Sequence, residues 1–297
     1  METSLYVPES PLPAPAGQND LALLEIWLNT KVSSHSRRAY RFELSRFLPF
    51  VSKPLAEVSL SDLQNFARWL DTQELKPASQ NRAFAAIKSV LSFGQKTGYL
   101  PFNVGAALPL RPNRDGLAQR ILAESDVARM IERTPDGRDQ VILRLLYASG
   151  ARVSELAQLK WCDTMERTQE GREGAGQISV FGKGGKTRTI LLKQRTWVLL
   201  QSLRGGALAT DPVFRSQKGG HLDVSQLRRI VYAARKRAGL ELKVSPHWMR
   251  HAHASHALDR GAPIHLVQTT LGHSSVSTTG RYLHAKPGAS SGEYLPD

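Results

Sequence analysis

Sixteen residues beginning at Pro101 (PFNVGAALPLRPNRDG) divide this 297-residue chain into two unequal parts. They hold three prolines and two glycines and follow no hydrophobic period, whereas periodic apolar patterns run on either side of them. Such a stretch cannot be the interior of a helix or of a paired strand. It reads as a link between two separately packed units, with the linker proper at residues 104–117. Hydrophobic residues make up 41% of the chain, enough for each part to bury a core of its own.

Ahead of the link, residues 1–17 end in Pro-Leu-Pro-Ala-Pro-Ala-Gly and read as a flexible lead-in. They show neither a basic start nor an apolar run, so a secretory leader is not expected. Residues 18–103 read as a small helical domain. Asp20 is placed to cap a helix carrying Leu21, Leu24 and Leu28, and Ser33 or Ser34 to cap one carrying Tyr40, Leu44, Phe47 and Leu48. Ser61 is placed to cap a third with Leu63, Phe66 and Leu70. Pro77 opens a fourth with Phe84, Ile87 and Leu91.

Residues 118–285 are again mostly helical, with one interruption. Gln177–Phe181 and Thr187–Leu192 are short runs of β type joined by Gly182-Lys183-Gly184-Gly185-Lys186, a hairpin signal. Helices are expected to resume near Arg195, Ser225, Pro246, Pro263 and Ser275. The fold class expected is mainly α with a small β-sheet or hairpin in the second domain. Residues 286–297 form a tail with Tyr294 and Leu295, which either docks into a neighbour or stays frayed.

Charge narrows the partner. Forty Lys and Arg stand against 26 Asp and Glu, a net charge of +14. Residues 1–117 contribute 13 basic and 10 acidic side chains; the remaining 27 and 16 fall after them. A single cysteine, Cys162, excludes an internal disulfide framework, and no apolar run reaches the roughly 20 residues that span a bilayer. The expectation is a cytoplasmic protein with a polyanionic partner and no membrane. Arg37, Arg38 and Arg41 share one helical side, and Gln80, Asn81, Arg82 and Lys88 another. Arg228, Arg229 and Arg235 crowd a helix in the second part with Gln226, Lys236 and Arg237. Arginine and lysine mixed with amides meet both phosphates and base edges, so these residues, with Lys186 and Arg188 of the hairpin, are the candidate contacts to double-stranded DNA.

The chemistry is concentrated between Arg152 and Tyr282. Tyr147-Ala-Ser-Gly-Ala-Arg152-Val-Ser-Glu155 puts an arginine where a new helix starts, after a turn of small residues. Ser245-Pro-His247-Trp-Met-Arg250-His-Ala-His-Ala-Ser-His256 puts His247 and Arg250 three apart on one helical face. Leu271-Gly-His273 and Ser277-Thr-Thr-Gly-Arg-Tyr282 follow, and Lys183 lies at the hairpin tip. Two arginines, a lysine and two histidines around one point would grip a phosphoryl group. A tyrosine beside them can attack phosphorus, a histidine can take its proton, and a lysine can protonate the leaving alkoxide. The arginines would neutralise charge as a metal does elsewhere, so neither metal nor cofactor is expected.

The segments SGARVSEL, GKGGKTR, SPHWMRHAHASHAL and LGHSSVSTTGRY resemble those of the tyrosine recombinases, the phage-integrase family, and most of all its Xer-type and simple integrase members. The likeness extends from about Asp20 to Ala285. It implies a helical core-binding domain of SAM-like type and an α+β catalytic domain forming a C-shaped, two-domain DNA clamp. It implies Arg152 and Arg250 as the arginine pair on the scissile phosphate, Lys183 as the lysine that protonates the 5′-hydroxyl, and His247 as the general base. His273 maps to the second phosphate ligand and Tyr282, nine positions later, to the nucleophile; Glu155 supports the first arginine. DNA recombination or integration through a 3′-phosphotyrosyl intermediate is the implied reaction. It would need no ATP and would run in a homo-tetramer on two DNA sites, or in a hetero-tetramer with a second recombinase, with accessory proteins as further possible partners. Trp161–Gly182 is longer than in Xer proteins and reads as a loop extension ahead of the hairpin.

Three other readings are separable. A binding-only regulator predicts decay of the phosphate-gripping set, yet all six positions carry competent residues. A zinc hydrolase could use His247 and His251 at i, i+4, but Trp248 stands where the metalloprotease motif needs glutamate. A type IB topoisomerase shares the chemistry without joining partner strands.

Overall fold

The computed structural model describes residues 18–111, 116–167, 174–182 and 185–283. The lead-in 1–17, Lys183, residues 168–173 of the expected extension and the tail after residue 283 lie outside them. The chain divides between residues 114 and 115 into two compact units.

The first unit is helical: α1 (Gln18–Asn29), α2 (Ser34–Val51), α3 (Leu60–Thr72) and α4 (Pro77–Lys96), with short 3₁₀ turns at Leu55–Glu57 and Val104–Ala107. Pro77 opens α4 as expected, because a first-turn residue has no intrahelical partner for its nitrogen. The cap of α3 is Ser59 rather than Ser61: its hydroxyl accepts from Asp62 N while the Asp62 carboxylate takes Ser59 N at 2.7 Å. Asp20 is also not a cap. It lies inside the first turn of α1, 1% exposed, and accepts from Leu55 N at 2.8 Å and from the Tyr99 hydroxyl at 2.5 Å. A buried carboxylate needs such donors, and here they tie three separate segments together. The core is aromatic, with Phe66 set edge-on between Phe47 and Phe84 and stacked on Trp69.

The second unit is built around α6 (Arg138–Ser149), which packs against α5 (Glu124–Glu132), α8 (Gln194–Gln201), α9 (Val224–Arg237) and α10 (Pro246–Asp259). The short α7 (Val153–Ala157) follows α6, and α11 (Ile264–Leu271) and α12 (Val276–Gly280) come last. Beside them lies an antiparallel sheet of β1 (Thr164–Arg167), β2 (Ala175–Phe181) and β3 (Thr187–Leu192), in that order. The expected hairpin is β2 and β3, paired with Ile178 opposite Ile190. Ile178, Val180, Ile190 and Leu192 alternate into the core, the period of a half-buried sheet. The expected loop extension is corrected in part: Thr164–Arg167 pairs with Ala175–Ile178 as an edge strand. Together these elements give the mainly helical fold with a small sheet that the sequence implied.

Candidate active site

The site is assembled at helix ends. Gly150 closes α6 and Gly272 closes α11, both left-handed with φ of 58° and 65°. Their backbones leave carbonyls near the C-termini of these helices without helical partners, and two arginines take them. Arg250, 5% exposed on α10, donates Nη1 to Gly150 O and Nη2 to Leu271 O, each at 2.6 Å. Arg152, at the start of α7, donates Nη2 to Gly272 O at 3.2 Å. One guanidinium therefore holds the ends of α6 and α11 together while the other approaches the same turn.

Glu155 orients Arg152. Its carboxylate accepts Arg152 N at 2.7 Å and Arg152 Nη1 at 2.9 Å. It also takes Arg188 Nη1 at 2.8 Å and Nη2 at 2.6 Å. Burial alone would raise its pKa, but the hydrogen bonds from Arg188 and Arg152 outweigh that and hold it below the usual carboxylate range. Arg188, expected to face DNA, is corrected by this geometry. Its side chain is only 9% exposed, and its Nε donates to Thr270 O at 2.7 Å. It joins β3 to the site from inside.

Tyr282 lies after α12, 5% exposed, among Leu117, Ile121, Ala254, Val267 and Leu271. The His273 ring lies parallel to it with centroids 6.4 Å apart, and His273 Nδ1 meets Thr279 Oγ1 at 2.9 Å. The tyrosine hydroxyl meets His251 Nδ1 at 2.8 Å. Sequence reasoning reaches His251 only as a zinc ligand and misses this contact. The one signal for it is its place one turn after His247 and directly after Arg250. His247 itself is exposed on α10, its ring centroid 6.4 Å from that of His251.

Electrostatics bind the cluster. Burial, then the charge of Arg152, lowers Arg250 to about 10, still a cation at neutral pH. Burial, then Arg250 and Arg152, pulls His273 down to about 4. Burial, then His247, Arg120 and Arg250, does the same to His251, also to about 4. Partial desolvation and the charges of Arg250, Arg228 and Arg152 lower His247. Burial raises Tyr282 against the pull of Arg250 and Arg281. The site is thus a positive cluster in which two arginines lie beside the neutral rings of His251 and His273, suited to a phosphodiester.

The other histidines of α10 serve the fold: His253 Nδ1 meets Tyr147 O at 2.8 Å and His256 Nδ1 meets the Tyr147 hydroxyl at 2.9 Å. Among the described residues no three His, Cys, Asp or Glu side chains group as metal ligands do. No described helix is long and apolar enough to cross a membrane.

The expected DNA-facing residues separate into exposed and occupied groups. Arg228 and Arg229 are exposed on α9, Arg38 on α2, and Lys186 beside the hairpin turn; Arg37 is half-buried. Arg235 turns back to Glu241 O at 3.0 Å and Leu242 O at 2.7 Å. Arg41 pairs with Glu25, Arg82 with Glu43, and Lys88 Nζ donates to Leu108 O at 2.6 Å. The Asn81 amide exchanges two hydrogen bonds with the backbone of Arg111. Gln80 is corrected outright: 3% exposed, its amide donates to Asp71 Oδ1 and Leu75 O, so it faces the helical core.

Comparison with known proteins gives the same outline. Residues 119–288 match the phage integrase family and residues 23–98 its N-terminal SAM-like domain. The tyrosine recombinase XerC of Pelobacter propionicus is 32% identical over 278 residues, covering 88% of either chain. XerD of Vibrio cholerae is 32% identical over 87% of this chain and 88% of its own. In fold, the chain is similar to XerH recombinase bound to palindromic difH substrate (TM-score 0.69, 22% identity, 92% and 87% covered). It is likewise similar to a lambda integrase dimer on a COC′ core site (TM-score 0.70, 15% identity, 91% and 96% covered). With more than half of its length matched by the family and near-full-length relatives at this identity, the chain belongs to the phage integrase family of site-specific tyrosine recombinases.

Proposed function

We propose that this recombinase cuts and rejoins DNA through a 3′-phosphotyrosyl bond to Tyr282. The observation that carries the reading is the convergence of Arg152 and Arg250 on the turn at Leu271 and Gly272, next to His273, whose ring lies parallel to that of Tyr282. Arg152 and Arg250 hold the non-bridging oxygens of the scissile phosphate, and His273 adds a donor at its edge. Tyr282 attacks phosphorus, and Lys183 gives its proton to the departing 5′ oxygen. The phosphoester energy stays in the protein–DNA bond, so neither ATP nor a metal is required. A 5′-hydroxyl from a second duplex reverses the step and joins new strands.

Residues 18–103 are the core-binding domain and 118–285 the catalytic domain, joined by 104–117. Two strand exchanges on two sites require four protomers. The lambda integrase tetramer on a Holliday junction, a fold relative at 15% identity, supports that arrangement. A second copy of this chain or a different recombinase can fill the alternate positions, as the separate names of the XerC and XerD relatives suggest.

The test is a nicked suicide duplex carrying a site selected by the protein from random DNA, incubated in EDTA. Wild type should form a covalent protein–DNA adduct and Tyr282→Phe none, with equal DNA binding. An adduct from the phenylalanine variant, or cleavage that EDTA abolishes, overturns the reading.

A further inference from the structure

On the reading that His273 binds the scissile phosphate, we infer that Thr279 is the residue that positions it. The Thr279 hydroxyl lies 2.9 Å from His273 Nδ1 and donates to it. That leaves the ring proton on Nε2, the nitrogen that meets the phosphate oxygen.

Thr279 is the one buried residue of α12, at 0% exposure, in a helix whose Val276, Ser277 and Thr278 face solvent. An aliphatic side chain would suit such a place, and a hydroxyl there needs a partner. Among the described residues that partner is the His273 ring alone. Were the hydroxyl to accept from Nδ1–H, its own proton would lie buried with no acceptor; as a donor it leaves only lone pairs unused, the smaller cost. At neutral pH the His273 ring is neutral and carries a single proton, so it donates from one nitrogen only. With Nδ1 the acceptor, Nε2 is the donor.

The backbone completes the arrangement. Gln268 pins the chain at His273, its carbonyl accepting His273 N and its amide donating to His273 O, each at 3.1 Å. Thr279 then fixes the ring. Half a rotation of the imidazole would put Cε1 where Nε2 stands and replace the phosphate donor with carbon; the bond from Thr279 resists that turn. Thr279 O also accepts Tyr282 N at 3.1 Å, and the two rings lie within 5° of parallel. One residue therefore joins the phosphate ligand to the nucleophile, which gives the interval from His273 to Tyr282 a physical basis.

Two measurements test this. In ¹⁵N-histidine NMR of the full-length protein without DNA, His273 should carry its proton on Nε2, with Nδ1 shifted by an accepted hydrogen bond. In Thr279→Val, which keeps the shape and the carbonyl, the Nδ1 resonance should move to that of a bare nitrogen. A proton on Nδ1, or an Nδ1 resonance that Thr279→Val leaves in place, overturns the inference whatever the fate of the DNA chemistry. The second measurement is single-turnover cleavage of the selected duplex by wild type, Thr279→Val, Thr279→Ser, His273→Ala and the double variant Thr279→Val with His273→Ala. Thermal melts and gel shifts confirm folding and binding. Thr279→Val should slow cleavage about 10- to 100-fold, the size of effect seen when a ligating histidine loses its outer partner. Thr279→Ser keeps the hydroxyl and should stay within a few-fold of wild type. In the His273→Ala background Thr279→Val should cost nothing further, because it acts through the ring; a threonine that only fills the core would slow both backgrounds equally. Wild-type rates in Thr279→Val, no advantage of serine over valine, or additive losses in the double variant overturn the inference while leaving His273 as a phosphate ligand. Wild-type rates in His273→Ala defeat the underlying reading instead.

Discussion

Glu155 and Arg188 lie 33 residues apart in sequence, yet form a two-pronged ion pair with N···O distances of 2.8 and 2.6 Å, the carboxylate 3% and the guanidinium 9% exposed. Because Glu155 also holds Arg152, the pair fixes β3 to the start of α7 and sets the direction of the arginine proposed to meet the phosphate. Removing Arg188 leaves the buried Glu155 with Arg152 as its one remaining cation, and removing Glu155 leaves Arg188 with the carbonyl of Thr270. Arg188→Ala should destabilise the second unit by about 3–5 kcal/mol. Glu155→Gln should cost less stability than Arg188→Ala but still slow cleavage, since Arg152 loses a charged anchor. Denaturant melts of both single variants and the double variant give the coupling; additive effects would show that the pair does not act as a unit.

Arg250 calls for a separate test because its two carbonyl bonds make it structural as well as proposed to be catalytic. Arg250→Lys keeps a cation but cannot donate to Gly150 O and Leu271 O in the same fork. Cleavage should fall about 100- to 1,000-fold while specific binding stays within a few-fold. Adduct formation and gel-shift affinity measured on one preparation separate the two. Equal losses in binding and cleavage would instead mean that the fold around α6 and α11 has loosened.

On the surface of α9, Arg228 and Arg229 are exposed, whereas Gln80 of α4 is buried. Arg228→Ala and Arg229→Ala should each weaken DNA binding and reduce the slope of log affinity against log salt by about 1. Gln80→Ala should leave that slope unchanged and cost about 1–3 kcal/mol of stability, by stripping hydrogen bonds from Asp71 and Leu75 O. Salt titrations and melts on the three variants check both halves.

Much of the fold and site is legible in the sequence, and the remainder escapes it for identifiable physical reasons. The division at Pro101–Gly116, the Pro77 helix start and the β2–β3 hairpin are local signals, set by proline geometry, glycine turns and alternation over a few residues. Arg152 after Gly150, and His247 with Arg250, are legible because the spacing of one turn or one helical face is itself local. What escapes is long-range. Gln80 has the look of a surface amide beside Asn81 and Arg82, but α4 turns it onto the ends of its neighbours. Arg188 has the look of a hairpin cation, but the sheet carries it onto Glu155. Asp20 has a cap's composition, but its partners are Leu55 and Tyr99. The contact between His251 and Tyr282 spans 31 residues, and no periodicity encodes it.

The depressed histidines make stability depend on pH. His251 and His273 lie at about 4 in the folded chain against an ordinary 6.5. Between those values the unfolded chain binds more protons than the folded one, so stability is full above pH 6.5 and is lost as pH falls towards 4. Unfolding should take up about two protons across that window from these two rings, and His247 and His253, also lowered by burial, add to the uptake. Glu155, held low by its arginines, adds a further loss only at the acidic end. Urea melts between pH 7 and 4 should show this trend, and His251→Gln should remove part of it. A stability independent of pH over the window would mean that both rings are better hydrated than their packing indicates.

Gly150 offers the sharpest test of how the backbone supports the chemistry. Its φ of 58° is one that only glycine adopts without strain, and a Cβ there would fall 2.7 Å from both His253 Cδ2 and Leu271 Cδ2. His253 is fixed by its bond to Tyr147 O and Leu271 is fully buried, so neither can move aside cheaply. Gly150→Ala should therefore cost more than the roughly 1 kcal/mol of a left-handed alanine alone. It should also slow cleavage more than its loss of stability would suggest, because Gly150 O is the acceptor that aims Arg250. Gly137 is the control: its φ is also positive, at 115°, but a Cβ there would meet no atom within 4 Å. Gly137→Ala should lose stability through backbone strain and leave the cleavage rate of the folded protein unchanged. Equal effects of the two substitutions on cleavage would show that the Gly150 turn does not aim Arg250.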